Sequence, residues 1–558
     1  MCGIFTTVNK RGTGGFSFLQ EVATQLQHRG PDHQAQEIIG SVGMVHCRLA
    51  IFDTAARSNQ PMHRWGRTIL FNGAIYNYES LRDELKPQYD FQTSSDTEVV
   101  LAAYDRWGEE SFTKFNGQWA MVLYEHEAKQ LICVRDRFGI KPLHYVENEN
   151  WFAIASEEGA FAQVPGWSNG INDGSIQLYL QGRNELNHSC HDRVSSIEPG
   201  NYMTYDLSSN QYSFKRYYVL PEIANAEISL GEAAKQFAQL LADSVKIRTK
   251  SDVGYCATLS GGIDSASIVA ICKEDQLLQT YSVVFSEDGY TEASAILKTV
   301  LKTGVANNKV MPSFKELIDV LPAISKHLSM PAASMSILAQ NILYAAIAKQ
   351  GFKVALDGQG ADEYLMGYDF FLKGKFFDLL FHPELIFAYL AKRMVFEKIE
   401  WIKLHSETEK LDFRDKTDPL ANLMYINPLP NLLHYLDRNS MANGVEARVP
   451  FLDHRLVAFC RKLPAKFFIQ HGKRKVLLRE AMRDQLDEGL YRSNKKIPFT
   501  TPQEFWLKRH QAFFKQEVKM HFELLERYIH PDKLNLDTVG SQYLWRLYSL
   551  AIWLRENE

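Results

Sequence analysis

Long apolar runs are missing from this 558-residue chain. The most apolar stretch, from Phe376 to Met394, is broken by Asp378, His382, Pro383, Glu384 and Lys392. It falls short of the roughly 20 apolar residues that a membrane span needs. The N-terminus has neither the basic nor the apolar segment of a secretory signal. Cysteine is sparse: seven residues, odd in number, scattered, with no Cys-x-x-Cys pair. That pattern speaks against a disulfide frame or a zinc site and suits free thiols in a reducing compartment. Positive charge is not in excess, with 62 Lys and Arg against 66 Asp and Glu, so the basic footprint of a nucleic-acid binder is absent. Repeats and low-complexity tracts are lacking too. The expectation is a cytoplasmic protein of about two to four domains.

The chain divides in two by texture. Up to about residue 215, short β-branched and aromatic runs alternate with Gly, Asn and Asp; examples are Gly43–Phe52, Arg67–Gly73, Trp119–Tyr124 and Gln130–Val134. Helical stretches intervene near 16–27 and 97–107, so this part reads as α+β with stacked sheets. From about 228 onward the period is mostly helical, with a few apolar strands. Periodicity is lost between Tyr217 and Asn225, which divides the chain into 1–215 and 216–558.

Two short motifs carry chemistry. The chain opens Met1-Cys2-Gly3-Ile4-Phe5. Removal of Met1, expected before so small a side chain, leaves a thiol and a free amine on one residue. With a reference pKa of ~7.7–8.0, that amine can accept the thiol's proton, giving a self-contained nucleophile and base. A lone cysteine would instead read as a small buried hydrophobe. The second motif, Thr258-Leu259-Ser260-Gly261-Gly262-Ile263-Asp264-Ser265, joins a short apolar strand to an apolar helix. Its glycines turn N–H groups outward, Ser260 and Ser265 add hydroxyls, and the helix start adds its positive end, so the loop is an anion cradle. Gly-Lys-Ser/Thr is absent, which excludes the Walker loop. Asp264 amid phosphate-binding groups implies a Mg²⁺ ion between them.

Ser260–Ser265 resembles the pyrophosphate loop of the ATP pyrophosphatases, and Cys2-Gly3-Ile4 resembles the start of the N-terminal-nucleophile (class II) glutamine amidotransferases. Both together, in this order and at this length, are similar to glutamine-hydrolysing asparagine synthetase over nearly the whole chain. The resemblance implies an αββα N-terminal nucleophile sandwich followed by an α/β ATP-pyrophosphatase domain with a helix-rich C-terminal part. The stretches 28–32, 46–51, 71–77 and 94–98 stand in family order. They imply that Arg48 holds the glutamine carboxylate, that Asp96 holds its ammonium, and that Asn72 and Gly73 form the oxyanion hole. Read alone, Arg48 is a surface ion pair, Asp96 a helix N-cap and Asn72-Gly73 a hairpin turn. Further on, the resemblance implies ATP contacts at Leu259, Ser260, Gly261, Gly262, Asp264, Ser265, Asp357 and Gly358, with backbone near Phe285 reading the adenine. It makes Asp362 the second Mg²⁺ ligand beside Asp264, and Lys475 the lysine that stabilises charge at the α-phosphate. Read alone, Lys475 is an exposed helix lysine. Gly444–Asp453 matches the family closely and suggests a buried Glu446/Arg448 network.

Two positions depart from the family. Ala74 stands where it usually has Glu, which removes one anchor for the glutamine amino group. Gln359 stands where asparagine synthetases carry a Glu near the acyl-adenylate. Gln cannot act as a base, so Glu363 or solvent takes that task, or the acceptor is not aspartate. The expected reaction is ATP-dependent amidation of aspartate with ammonia from glutamine; the alternative is another carboxylate, such as a sugar acid, a polysaccharide or a secondary-metabolite precursor. Nucleic acid and membrane are not expected partners, and a homodimer is left open.

Overall fold

The computed structural model describes residues 2–557 apart from 169, 183–188, 288–289, 291, 373–417 and 494–500. The apolar stretch Phe376–Met394 lies outside the described residues. Among the described residues, no helix is long and apolar enough to cross a membrane.

The first half is built on two six-stranded antiparallel sheets. In one, Cys2–Asn9 lies between Val42–Arg48 and Trp151–Ala155; His33–Ile39 extends one side, and His144–Glu147 and then Ser195–Ser196 the other. The other runs Gln211–Arg216, Asn201–Asp206, Gln130–Arg135, Gly117–Glu125, Arg67–Ile75 and Met62–Arg64. Ile4, Val8 and Met44 of the first sheet pack against Leu70, Val122 and Met203 of the second. The alternate residues face outward: Phe5 and Val45 meet the helix Leu19–Leu26, while Phe71 and Met121 lie with Val99 and Val100 of the helix Asp96–Trp107. Each central strand is thus covered on both faces, which is why these segments are apolar almost throughout. This is the αββα sandwich.

The second half is centred on a five-stranded parallel sheet in the order Ala306–Val310, Gln279–Val283, Tyr255–Thr258, Val354–Leu356, Glu446–Arg448. Tyr255–Thr258 and Val354–Leu356 are neighbours, so the loops after Thr258 and after Leu356 leave the same carboxyl edge side by side. That edge is where open α/β sheets bind ligands. Helices surround the sheet and continue to Ser541–Asn557.

The halves meet over an apolar joint. Leu49, Ile51, Phe52, Ala74 and Tyr76 pack with Val354 and Met441. The edge strand Glu446–Arg448 lies against the same joint: Arg448, fully buried, stands 5.5 Å from the Phe52 ring and 5.3 Å from that of Tyr76, and bonds to Glu446.

Candidate active sites

The first site is a small cavity lined by Cys2, Arg48, Leu49, Ile51, Phe52, Phe71, Gly73 and Asp96, among others. Sheet pairing assembles it, because register sets Cys2 opposite Arg48. The Cys2 backbone N–H donates to Asn72 Oδ1 at 3.0 Å. The Asn72 amide nitrogen then faces Ser156 Oγ at 3.5 Å. Burial pushes the Cys2 thiol up, while the Leu49 N–H and Arg48 favour its thiolate. A thiol in this setting needs a nearby proton acceptor to become a thiolate.

Asn72-Gly73 is not a turn. Both residues lie inside the strand Arg67–Ile75, paired with Ala120 and Trp119. The dipeptide favours a hairpin locally, but pairing along nine residues overrides that preference. Glycine is required at 73 by close approach, since a Cβ there would stand 2.3 Å from the Gln118 carbonyl oxygen. Asp96 is not the helix cap either. Ser95 caps, accepting the Thr97 N–H, and this frees Asp96 to accept the Ile75 N–H at 2.9 Å. Burial pushes its carboxyl up to about 6. Arg48 is no surface ion pair. It is buried, and its Nη groups donate to the carbonyls of Phe52, Asp53 and Ala55 and to Asn59 Oδ1. A bound carboxylate would meet Nε or exchange with one of these acceptors.

Ala74 is fully buried in the apolar joint. A glutamate there would place a carboxylate among Tyr76, Val354 and Met441. The absent glutamate therefore marks an apolar position as well as a missing polar anchor.

The second site is a cleft at the carboxyl edge of the parallel sheet. It is lined by Thr258 to Ser265, by Asp357 to Glu363, and by Gly367, Arg474, Lys475 and Arg479. Lys475 Nζ lies 2.6 Å from Asp264 and 2.5 Å from Asp362. Burial opposes the lysine's charge, but the two carboxylates hold the ammonium above its ordinary value. Lys475 is thus buried rather than an exposed helix lysine. It precedes the helix Val476–Ala481 in a left-handed conformation, φ 52°, a strained setting that tends to occur at functional positions. Gly367 closes the site, because a Cβ would stand 1.7 Å from Asp362 Oδ1 and 2.2 Å from Lys475 Cε.

The cradle is partly satisfied from within. The Ser260 and Ser265 hydroxyls lie 3.0 Å apart, and the Gly262 N–H donates to Ser260. The Gly261 N–H donates to Glu292 at 2.6 Å. Leu259 lines the cleft from the strand end. Asp357 accepts from the Thr258 hydroxyl at 3.0 Å and from Tyr344 at 3.3 Å, and Gly358 passes close to Ser265 and Asp264. Phe285 is not among the lining residues. The strand ends at Val283, and the Phe285 ring turns to Trp506, 5.6 Å away; Tyr281 and Val283 form the wall instead. Glu363 is buried, accepts the Tyr368 hydroxyl, and is pushed up to about 7 by burial and by Asp362.

Sequence reasoning missed Ser156 and Glu292. Ser156 Oγ accepts the Ile4 N–H at 3.2 Å and faces Asn72. Glu292 presents a carboxylate to the phosphate loop, and burial pushes it up to about 7. Neither sits in a motif, and each meets its partner only through long-range folding.

Comparison with known proteins agrees with the two-part architecture. The glutamine amidotransferase domain family matches residues 1–218, and the asparagine synthase family matches residues 236–555. A Bacillus subtilis protein named asparagine synthetase [glutamine-hydrolyzing] 1 is 29% identical, covering 99% of this chain and 96% of its own length. A putative asparagine synthetase [glutamine-hydrolyzing] of Mycobacterium tuberculosis is 28% identical over 91% of this chain and 88% of its own. The amidase chyE of Penicillium rubens is 26% identical over 86% of this chain and 84% of its own.

Proposed function

The chain belongs to the asparagine synthase family and is a glutamine-hydrolysing ligase, and we propose that it amidates aspartate through an acyl-adenylate with ammonia released at Cys2. One observation carries the reading. Leu49, Ile51 and Phe52 line the Cys2 cavity and also belong to the apolar joint with Val354, which opens the strand leading to Asp357 and Asp362. On this reading, ammonia passes from the first site to the second across this apolar joint.

In the first half, the freed Cys2 amine takes the thiol proton and the sulfur attacks the glutamine amide carbon. The Asn72 amide and the Gly73 N–H hold the developing oxyanion. Arg48 and Asp96 hold the carboxylate and ammonium of glutamine. The Cys2 amine passes that proton to the amide nitrogen, ammonia leaves, and water then hydrolyses the thioester to glutamate and the free thiol.

In the second half, the acceptor carboxylate attacks the α-phosphorus of ATP and pyrophosphate departs. Ser260, Gly261, Gly262 and Ser265 hold the pyrophosphate, and Lys475 stabilises charge at the α-phosphate. Asp264 and Asp362 converge on one ammonium, and such a pair of oxygen donors suits Mg²⁺. Bound there, Mg²⁺ would offset the negative charge of the pyrophosphate. Ammonia then attacks the acyl carbon and AMP leaves.

Gln359 favours a second reading of the acceptor. Its amide donates and accepts hydrogen bonds but takes no proton, and a relative is named as an amidase. The test is pyrophosphate release with glutamine and a panel of carboxylic acids. Aspartate-dependent turnover of about 1 s⁻¹ or more is expected, with Gln359→Glu as fast or faster. No turnover with aspartate beside intact glutamine hydrolysis would assign another acceptor; Gln359→Glu should then raise that acceptor's KM by adding a like charge.

A further inference from the structure

A helix of the second half, Leu429–Met441, holds the nucleophile strand of the first half. Arg29 is fully buried and donates from Nε to the Cys2 carbonyl at 3.2 Å. Its Nη groups donate to Asp437, at 2.8 and 3.2 Å, and to Glu157 at 2.6 Å. The next helix residue, Arg438, donates to the Ser156 carbonyl at 3.0 Å and stands 3.2 Å from Glu157. Ser156 Oγ in turn meets the Ile4 N–H and the Asn72 amide. Two adjacent residues of one helix are therefore linked to the first site: Asp437, through Arg29, to the Cys2 carbonyl, and Arg438 to the backbone of the serine whose hydroxyl faces Asn72. The same helix is fixed to the ATP cleft, because Asn439 donates to Gln340 Oε1 at 2.8 Å and Gln340 lines that cleft.

Domain docking alone does not call for this network. The apolar joint already joins the halves, and burying charges is costly even when they are paired. A metal site does not account for it either. His28, Glu157 and His327 bring donor atoms within 4.8 Å of one another, but Glu157 is already engaged with Arg29 and Arg438, whose positive charges would oppose a divalent cation.

We infer that Asp437 and Arg438 are positioning residues for glutamine hydrolysis: through Arg29 and Ser156 they set where Cys2 and Asn72 stand, so the glutaminase site depends on a helix of the synthetase half. The inference rests on Cys2 being the nucleophile. The test uses the full chain and measures glutamine hydrolysis beside ammonium-driven pyrophosphate release. Asp437→Asn should lower the glutaminase kcat by roughly tenfold to a hundredfold, the scale expected of a misplaced catalytic group. Glutamine KM and ammonium-driven release should stay within about twofold, and Asp437→Glu should restore part of the loss. Lys353→Ala is the control. It breaks a half-exposed pair with Asp32 across the same interface, 2.8 Å long and not connected to Arg29 or Ser156, and should leave kcat unchanged. If Asp437→Asn fails to fold, Arg438→Lys keeps the charge while losing the fork and should show the same fall. Unchanged kcat in the folded variant, or an equal loss in Lys353→Ala, overturns the inference while the functional reading stands. A wild-type chain that does not hydrolyse glutamine overturns both.

Discussion

The two sites differ in what satisfies their polar groups. Around Cys2 the partners are fixed and largely backbone: Asp96 meets the Ile75 N–H, Asn72 meets the Cys2 N–H, and Arg48 meets three carbonyls of its own loop. In the cleft, charge answers charge: Asp264 and Asp362 share one lysine. Glu292, its carboxyl pushed up to about 7 by burial, accepts the Gly261 N–H at the phosphate loop. The first arrangement is preorganised for a neutral amide that carries two charged ends. The second must rearrange when a polyanion and its cation arrive, because the phosphate would compete for the donors that Glu292 and the two aspartates now engage. On the proposed reading, the first site keeps most of its partners when substrate binds, while the second exchanges them.

The sharpest test of this difference is a crossed pair of substitutions. Cys2→Ala should remove glutamine hydrolysis by about a thousandfold or more while sparing synthesis from ammonium. Asp264→Asn should lower synthesis from either nitrogen source by roughly a hundredfold or more and leave glutamine hydrolysis nearly intact. Assays of both half-reactions on both variants read the outcome. Parallel loss of the two activities in either variant would mean that the sites do not work separately.

The sequence shows both anchors of this comparison and little of what supports them. Cys2 and Ser260–Ser265 are legible because their chemistry demands particular residue types in consecutive order. The double-sided burial of the first sheets is legible in runs such as Trp119–Tyr124, which are apolar without a break. The strand placement of Asn72-Gly73 is not, because the dipeptide's own preference is a turn and only pairing with Ala120 and Trp119 decides otherwise. Lys475 reads as an exposed helix residue because its partners lie 211 and 113 positions earlier, at Asp264 and Asp362. Arg29 is visible inside its motif, yet nothing nearby announces Asp437, 408 residues away.

Ala74→Glu comes next in size. From the family pattern alone, the substitution restores an anchor and tightens glutamine binding. The apolar joint argues for the opposite result, since the new carboxylate would be buried among Tyr76, Val354 and Met441. Overpacking and desolvation of the carboxylate together should cost about 3 kcal/mol or more, seen as a melting temperature lower by roughly 5 °C or more. A stable variant with a lower glutamine KM would show that position 74 reaches the substrate after all, and would make the first cavity less rigid than its hydrogen bonds suggest.

The smallest effect expected is a pH step in glutamine affinity. Burial pushes the Asp96 carboxyl up to about 6, and Glu446 from the second half adds to the rise, while the Ile75 N–H pulls it down. Above that pH the group is ionised and can hold the glutamine ammonium; below it the group is neutral and the attraction is lost. Glutamine KM should therefore rise as pH falls through about 6, approaching tenfold per unit at most. Stability responds with the opposite sign: between about pH 4 and 6 the folded chain keeps a proton that the unfolded chain releases, so this group's contribution falls as pH rises. KM measured from pH 5 to 8 for wild type and for Asp96→Asn separates this step from other titrations, because the variant should bind glutamine weakly at every pH and show no step. A step that persists in Asp96→Asn would place the titrating group elsewhere and would leave Arg48 as the charged contact to glutamine in the first site.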